Sequence, residues 1–226
     1  MQLAIDTSSD TASLALVQGS QVLAELTWRC GQNHTTQLLP QLTYLLNQTK
    51  IELQSIDCII VAKGPGSFNG LRVGISTAKG LAFSLGIPIV GISTLEVEAY
   101  QYAETGLPIC PIFNAGRGEI ATAIFQRKHN EWCQLTTEHI ATIEALCSQI
   151  TTKTIFCGEF IPLIATQLRE QLKQKAIIPS SAARLRRASL LAELGLKRLE
   201  AGNYDKLVTL QPLYLRHPSI TKPKHQ

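Results

Sequence analysis

Near its N-terminus, the chain places an acid and two hydroxyl residues directly after a short apolar run. The run from Gln2 to Asp6 has the length of a strand, and Asp6, Thr7 and Ser8 begin the turn that follows. A carboxylate at the end of a strand can carry Mg²⁺ through water, and small residues after it let backbone amides face a phosphate. Aspartate also accepts hydrogen bonds from the amides of its own turn, so a turn-capping role explains Asp6 equally well.

A second stretch suited to phosphate chemistry is the loop Gly64-Pro65-Gly66-Ser67. It precedes a predicted helix, and free amides at a helix N-terminus favour anions. The loop is not a P-loop, because the Gly-Lys-Ser/Thr ending is missing and Lys79 lies well inside the helix. A tight turn is the alternative role for its glycines. The candidate nucleotide site therefore consists of Asp6, Thr7, Ser8, Gly64 and Gly66.

The helix after this loop, predicted from about Phe68 to Leu85, carries a small residue at every fourth position. These positions share one face of the helix and form a ridge of Gly70, Gly74, Ala78 and Ala82. Glycine inside a helix costs about 1 kcal/mol relative to alanine, so the ridge calls for a close neighbour. That neighbour is either a helix of a partner protein or another element of this chain.

The helix lies between two predicted strands, Cys58 to Ala62 and Ile87 to Ile92. A strand–helix–strand crossover makes the strands parallel and the connection right-handed. Upstream, three strands over 2–6, 11–17 and 22–27 form a meander, and a helix follows over 34–49. Three meandering strands followed by helix, strand, helix and strand are the layout of one ribonuclease-H-like lobe.

The helix over 34–49 is amphipathic and offers a second candidate partner surface. Leu39, Leu42 and Leu46 belong to its broad apolar face. Pro40 predicts either a start near Leu39 or a distorted first turn. His34 has no metal-binding partner one turn away, so we expect it to cap the helix or to form a hydrogen bond. The candidate partner interface comprises Leu39, Leu42, Leu46, Gly70, Gly74, Ala78 and Ala82.

The second half of the chain has strand and helix signals of its own. After a helix expected over 94–103, strands are predicted over 109–113, 119–126 and 154–157, and helices over 142–150, 161–175 and 182–200. We therefore predict an N-terminal ribonuclease-H-like lobe over 1–103 and a smaller C-terminal lobe over 104–226. A mobile polar tail is expected from about residue 218.

The composition is that of an ordinary globular protein. The chain has 226 residues, of which 45% are hydrophobic and 17% charged, which is enough for a sizeable core. No stretch has the ~18 consecutive apolar residues of a membrane span, and the N-terminus lacks the basic region of a signal peptide. The six cysteines form no C-x-x-C pair, which predicts reduced thiols in a cytoplasmic protein.

Positive charge is modest but unevenly distributed. The net charge is +4, with a cluster of arginines at Arg184, Arg186 and Arg187. Lys222, Lys224 and His225 stand near the end of the chain. This distribution is compatible with RNA nearby, but a solvated helix face explains the arginine cluster better.

The stretch GPGSFNGLRVGISTAKGLA resembles the signature of the TsaB (YeaZ) family, which usually has threonine in place of Asn69. The segments LAIDTSSDTASLAL, HTTQLLP, AGRGEI and PLYLR extend the resemblance over nearly the whole chain. The resemblance implies an α/β fold of the actin/Hsp70/sugar-kinase-like (ASKHA) superfamily, with two ribonuclease-H-like lobes. In nucleotide-binding members of that superfamily, the turn corresponding to Asp6 holds metal and phosphate.

The resemblance also implies a function. Members pair with TsaD, which transfers threonylcarbamoyl to the adenosine beside the anticodon of tRNA. We therefore expect a non-catalytic subunit that forms a heterodimer with a TsaD-like catalytic subunit, with a TsaE-like ATPase as a further partner. Contact with tRNA would arise through the complex, and a homodimer is an alternative state when the partner is absent. No cofactor is required, and ATP with Mg²⁺ would bind weakly if at all.

Two substitutions argue against catalysis by this chain. By the resemblance, Thr94 and Glu98 stand where TsaD has two metal-binding histidines, and threonine is a poor ligand for a transition metal. Asn114 stands where the family has an aspartate. The sequence therefore predicts no catalytic and no metal-binding residue. The alternatives are a small-molecule kinase or ATPase of the same superfamily and, less favoured, a metallopeptidase.

Overall fold

The computed structural model describes residues 1–180 and 185–216, which contain two five-stranded sheets. The first sheet consists of β1 (Gln2–Asp6), β2 (Thr11–Gln18), β3 (Gln21–Arg29), β4 (Cys58–Ala62) and β5 (Ile89–Ile92). Its order is β3-β2-β1-β4-β5. The first three strands form the predicted antiparallel meander, and β4 and β5 run parallel to β1.

Helices α1 (His34–Thr49) and α2 (Phe68–Leu85) cover one face of this sheet. Ser67 caps α2 by accepting a hydrogen bond from the Gly70 amide, and Gly86 ends it in a left-handed conformation with φ of 66°. Glycine adopts that conformation without the steric cost of a Cβ atom. Helix α1 begins at His34 rather than near Leu39, and it runs through Pro40.

The second sheet consists of β6 (Ile109–Gly116), β7 (Glu119–Lys128), β8 (Glu131–Ala141), β9 (Thr154–Cys157) and β10 (Ala176–Ile177). Its order, β10-β9-β6-β7-β8, repeats the first sheet: an antiparallel meander with two parallel strands beside its first strand. Helices α4 (Ile143–Gln149) and α5 (Ile161–Leu172) bury an apolar cluster on one face.

Helix α3 (Thr94–Tyr100) lies between the two sheets. Val97 and Tyr100 pack with residues of the first sheet, whereas Leu95 and Ala99 pack with residues of the second. This helix is shorter than the predicted 94–103. Because apolar side chains on both of its faces are buried, it joins the two lobes through a shared layer.

Helix α6 (Ala188–Glu200) corrects the predicted domain boundary. It packs on the first sheet, where Leu191 and Ala192 join a cluster with Ile60. The predicted assignment of residues 104–226 to one C-terminal lobe is therefore wrong for this helix. The helix also begins later than predicted, since 185–187 are not helical and 182–184 lie outside the described residues. The tail expected from residue 218 also lies outside them.

The small-residue ridge of α2 faces the interior of the protein, so its prediction as a partner interface is wrong. Gly70, Gly74, Ala78 and Ala82 are all buried. A Cβ atom on Gly70 would lie 2.1 Å from the carbonyl oxygen of Thr7, and one on Gly74 would lie 2.1 Å from the Thr7 hydroxyl. The close neighbour that the glycines accommodate is the turn after β1.

The leucines predicted on α1 divide between the core and the surface. Leu42 is buried beneath the helix, which corrects its prediction as an interface residue. Leu46 is partly buried against the same core. Leu39 is 51% exposed, so it remains available to a partner.

We predict opposite effects of adding one methyl group at two glycines of α2. Gly70→Ala should lower the free energy of unfolding by about 1–3 kcal/mol, because the new methyl group overlaps the Thr7 backbone. Gly80→Ala is the matched control, since a Cβ atom there meets no atom within 4 Å. It should raise stability by up to about 1 kcal/mol through helix propensity. Urea denaturation measures both, and equal stability of the two variants would contradict the packing described here.

Candidate functional site

Asp6 lies at the end of β1 and is almost fully buried, with 1% of its surface exposed. Its Oδ1 atom accepts hydrogen bonds from the Ser8 amide at 2.9 Å and the Ser8 hydroxyl at 2.6 Å. The turn-capping role considered for Asp6 is therefore present. The Oδ2 atom is left facing the cleft between the lobes.

The positively charged group that faces Asp6 is the guanidinium group of Arg186, a residue of this chain. The Nε atom of Arg186 donates to Asp6 Oδ2 at 2.5 Å, and a terminal nitrogen donates to the hydroxyls of Ser8 at 2.8 Å and Ser9 at 3.2 Å. Arg186 is 8% exposed and enters the cleft from the segment just before α6. It therefore fills the space in front of the Asp6 turn.

A second carboxylate, that of Glu98 on α3, lies on the far side of the same guanidinium group. Arg186 donates to Glu98 Oε2 at 3.4 Å, and Gln101 donates to Glu98 Oε1 at 2.9 Å. The guanidinium carbon also lies 5.5 Å from the centre of the Phe113 ring, on β6 of the second lobe. Arg186 thus joins the β1 turn, the shared helix α3 and the second sheet.

The Gly64–Ser67 loop closes directly onto the Asp6 turn. The Ser67 amide donates to the carbonyl oxygen of Ser8 at 2.7 Å, and a Cβ atom on Gly66 would lie 2.2 Å from that oxygen. Thr94 fixes the other end of the loop, because its hydroxyl accepts from the Gly64 amide at 3.0 Å and its amide donates to the Gly64 carbonyl at 2.8 Å. Thr94, expected to replace a metal ligand, holds the loop backbone.

The five residues predicted to bind nucleotide are thus brought into one place, and the polar groups of four of them, Asp6, Thr7, Ser8 and Gly64, bond to the protein itself. The Thr7 hydroxyl donates to the Gly70 carbonyl at 2.7 Å. Asp6 and Ser8 bond to each other and to Arg186, and Gly64 bonds to Thr94. His34 supports the turn from below, with Nε2 at 2.8 Å from the Ser9 carbonyl oxygen, as the expected hydrogen-bonding histidine would.

The arginine cluster near residue 186 does not form the solvated helix face that the sequence suggested. Arg186 is buried and precedes the helix, whereas Arg187 pairs at the surface with Glu25 at 2.6 Å. Arg184 lies outside the described residues. Burial of Arg186 was not predictable from its neighbours in the chain, because the carboxylates that it pairs with, Asp6 and Glu98, are distant in sequence.

Beyond the filled site, the cleft opens to solvent as a polar space of about 580 Å³. Its lining residues come from both lobes: Ser9, Asp10, Thr11, Arg29, Gly66, Ser67, Asn114 and Glu159. The Asn114 side chain accepts a hydrogen bond from the Gly116 amide at 2.8 Å, so it shapes the β6–β7 connection. Within the described residues, no three His, Cys, Asp or Glu side chains are grouped to hold a metal ion.

The two carboxylates differ in their protonation. Burial alone would raise the pKa of Asp6, but the charge and hydrogen bonds of Arg186, together with those of Ser8, hold that pKa below its ordinary value. Burial dominates at Glu98 and raises its pKa to about 7, despite the opposing effect of Arg186. Near neutral pH, Arg186 therefore faces one fully ionised carboxylate and one that titrates.

The repeated strand order of the two sheets, with the cleft between them, defines a protein of the actin/Hsp70/sugar-kinase-like (ASKHA) class. The fold is similar to that of the structure titled "YeaZ from Pseudomonas aeruginosa", which matches with a TM-score of 0.81, covering 95% of this chain and 99% of that one at 23% identity. The family model for TsaD, tRNA N6-adenosine threonylcarbamoyltransferase, matches residues 28–222.

Sequence comparison identifies the branch of the family. The tRNA threonylcarbamoyladenosine biosynthesis protein TsaB of Bacillus subtilis is 36% identical over 217 residues, which cover 95% of this chain and 93% of that protein. A tRNA N6-adenosine threonylcarbamoyltransferase of Fervidobacterium nodosum is 35% identical over 114 residues, or 44% of this chain and 34% of that protein. The chain belongs to the TsaB family. Separately, none of the helices in the described ranges is both long and apolar enough to cross a membrane.

We predict that Glu98 makes stability depend on pH. Because its pKa is about 7 in the folded protein and near 4.5 when unfolded, the folded state holds the extra proton between these values. The free energy of unfolding should therefore fall as pH rises through this range. From pH 5 to 8, the wild type should lose about 1–3 kcal/mol relative to Glu98→Gln.

Denaturant titrations at several pH values measure this difference. Arg186, Asp6, Glu159 and Cys157 also face Glu98 and are present in both proteins, so the difference between the two profiles reports Glu98 together with its electrostatic coupling to them. Glu104→Gln, at a glutamate whose side chain is 84% exposed, serves as the control and should follow the wild type. Parallel pH profiles for the wild type and Glu98→Gln would refute the assignment.

Proposed function

We propose that this chain is a non-catalytic partner subunit of a TsaD-like transferase in tRNA threonylcarbamoyladenosine biosynthesis. The observation that carries the proposal is its similarity, over nearly full length, to a protein named for that pathway. The transferase itself would supply the chemistry on tRNA. This chain would form one half of a heterodimer and hold the transferase in a competent arrangement.

The filled cleft supports the non-catalytic part of the proposal. Thr94 and Glu98, the residues at the metal-binding positions of TsaD, bond to the Gly64 backbone and to Arg186. Neither side chain is free to bind a metal ion, and Asp6 already has its cation in Arg186. A phosphate group would have to displace the hydrogen bond between Ser67 and Ser8.

The outer faces of α1 and α2 are the proposed partner surface. They expose large apolar side chains, with Leu39 at 51%, Tyr44 at 52% and Phe83 at 80% of their full surface. A groove of about 380 Å³ runs between the two helices, with Leu39 on one wall and Val73 on the other. Exposed apolar side chains beside a groove are typical of protein–protein interfaces.

Homology explains why a TsaD-like subunit suits this surface. The family model of the transferase matches most of this chain, so the transferase is expected to have helices equivalent to α1 and α2. Two related subunits can then pair around a pseudo-twofold axis, with the same helices of each in contact. A second copy of this chain could use the same helices, which is the homodimer expected when the partner is absent. A TsaE-like ATPase would join the complex at another surface.

We predict that the interface depends on the outer face of α1. Leu39→Asp should weaken binding to the TsaD-like protein of the same cell at least about tenfold, because a carboxylate replaces an apolar anchor in the groove. Leu163→Asp, at a leucine on α5 that is 79% exposed in the second lobe, is the matched control and should bind as the wild type does. Calorimetric titration measures both, with circular dichroism melts to verify folding. Equal affinity of the two variants would exclude this surface.

We predict that the isolated chain binds ATP no more tightly than millimolar, with or without Mg²⁺. Arg186 and the Ser67–Ser8 contact occupy the space in which the phosphates would lie. Isothermal calorimetry with and without Mg²⁺ measures the affinity. A micromolar, Mg²⁺-dependent site that Asp6→Ala abolishes would instead favour the kinase or ATPase interpretation.

A further inference from the structure

Arg186 contacts more parts of the molecule than a structural ion pair requires. Its guanidinium group bonds to Asp6, Ser8 and Ser9 at the tip of β1, to Glu98 on α3, and lies over Phe113 of the second lobe. The interlobe cleft thus has a cation at its base, supplied by the protein. A cation bound from solvent would exchange with the solvent, whereas the guanidinium group of Arg186 is covalently attached to the chain.

We propose that Arg186 acts as a built-in latch that holds the two lobes in one relative arrangement. The group is always charged at accessible pH, and its planar fork bonds to several acceptors at once. Its attachment to the chain gives it a high effective concentration at the Asp6 turn. The lobes consequently keep one relative arrangement, and the partner surface on α1 and α2 keeps one geometry.

The surroundings of Arg186 show how the latch can be tested. A small cavity of about 70 Å³ adjoins the guanidinium group, lined by Ser9, Thr11, Glu98, Glu159 and Leu185. Truncation of Arg186 would enlarge this cavity and leave the carboxylates of Asp6 and Glu98 without their cation. A free guanidinium ion has the charge and shape to enter that space and restore the same hydrogen bonds.

The first experiment compares Arg186→Ala with Arg187→Ala. Arg187 is the matched control, because it is adjacent and also forms an ion pair, but its side chain is 58% exposed. Arg186→Ala should lower the melting temperature by roughly 5–15 °C, since a buried carboxylate loses its partner, whereas Arg187→Ala should lower it by no more than about 2 °C. Guanidinium chloride at about 20 mM, far below denaturing levels, should recover part of the loss for Arg186→Ala. Sodium chloride at the same concentration should not recover the melting temperature.

The second experiment separates a latch from simple destabilisation. Hydrogen exchange followed by mass spectrometry should show faster exchange of Arg186→Ala at 6–12 in the first lobe and at 114–118 in the second, because residues of both segments line the cleft between the lobes. The strands β4 and β9, each next to the central strand of its sheet, should keep their protection. The radius of gyration from small-angle scattering should increase, and guanidinium should reverse both changes.

Two results would overturn the proposal. In the first, Arg186→Ala folds, its amide exchange is faster throughout the chain, and guanidinium does not stabilise it. Arg186 would then contribute only an ordinary buried ion pair. The other is unchanged exchange and melting. If Arg186→Ala does not fold, Arg186→Lys keeps the charge without the fork, and it should show the same local exchange at 6–12 in milder form. A wild-type exchange pattern for Arg186→Lys would then refute the latch.

Discussion

A carboxylate buried at the end of a central strand has to be neutralised, and in this protein the neutralising group is Arg186. An ionised carboxylate without a partner is expensive in a protein interior. The pairing of Asp6 with Arg186 therefore fixes the segment before α6, and with it the return of the chain to the first sheet. Helix α6 then covers the face of that sheet opposite α1 and α2. Apolar contacts of Leu191 and Ala192 with that sheet complete the assignment of the helix to the first lobe.

The same turn imposes a second constraint, which is steric rather than electrostatic. The backbone at Thr7 and Ser8 lies so close to the start of α2 that a side chain at Gly66 or Gly70 would overlap it. Glycine removes the overlap and lets Ser67 donate to Ser8 directly. The two backbone segments are in direct contact, and the glycines that suggested a nucleotide loop accommodate this contact.

Local signals in the sequence predicted most of the fold. The crossover from Cys58 to Ile92 was predictable because the strand, cap, helix and stop signals lie next to one another, and the α2 boundaries agree with them. The four-residue spacing of small residues correctly required a close neighbour, but it could not identify which one. Spacing along a helix reports the face, and only the tertiary structure reports what covers it.

Arg186 could not be predicted by the same means. It is separated from Asp6 by 180 residues and from Glu98 by 88, and nothing in its neighbourhood distinguishes it from Arg187. The two arginines differ only in what the fold places opposite them: three acceptor side chains at the tip of β1 for one, and Glu25 at the surface for the other. Charge clustering in a sequence therefore does not reveal which member is buried.

The two faces of helix α2 are under different constraints. Its inner face is determined by contacts with Thr7, where a single added methyl group would collide. Its outer face, with Arg72, Ser76 and Phe83, is exposed and under no such constraint. Because the inner contacts fix the position of the helix, they also fix the backbone from which the outer side chains project. The outer face of α2, which we propose as part of the partner surface, therefore has a geometry that is set by the contacts of its inner face with the turn after β1.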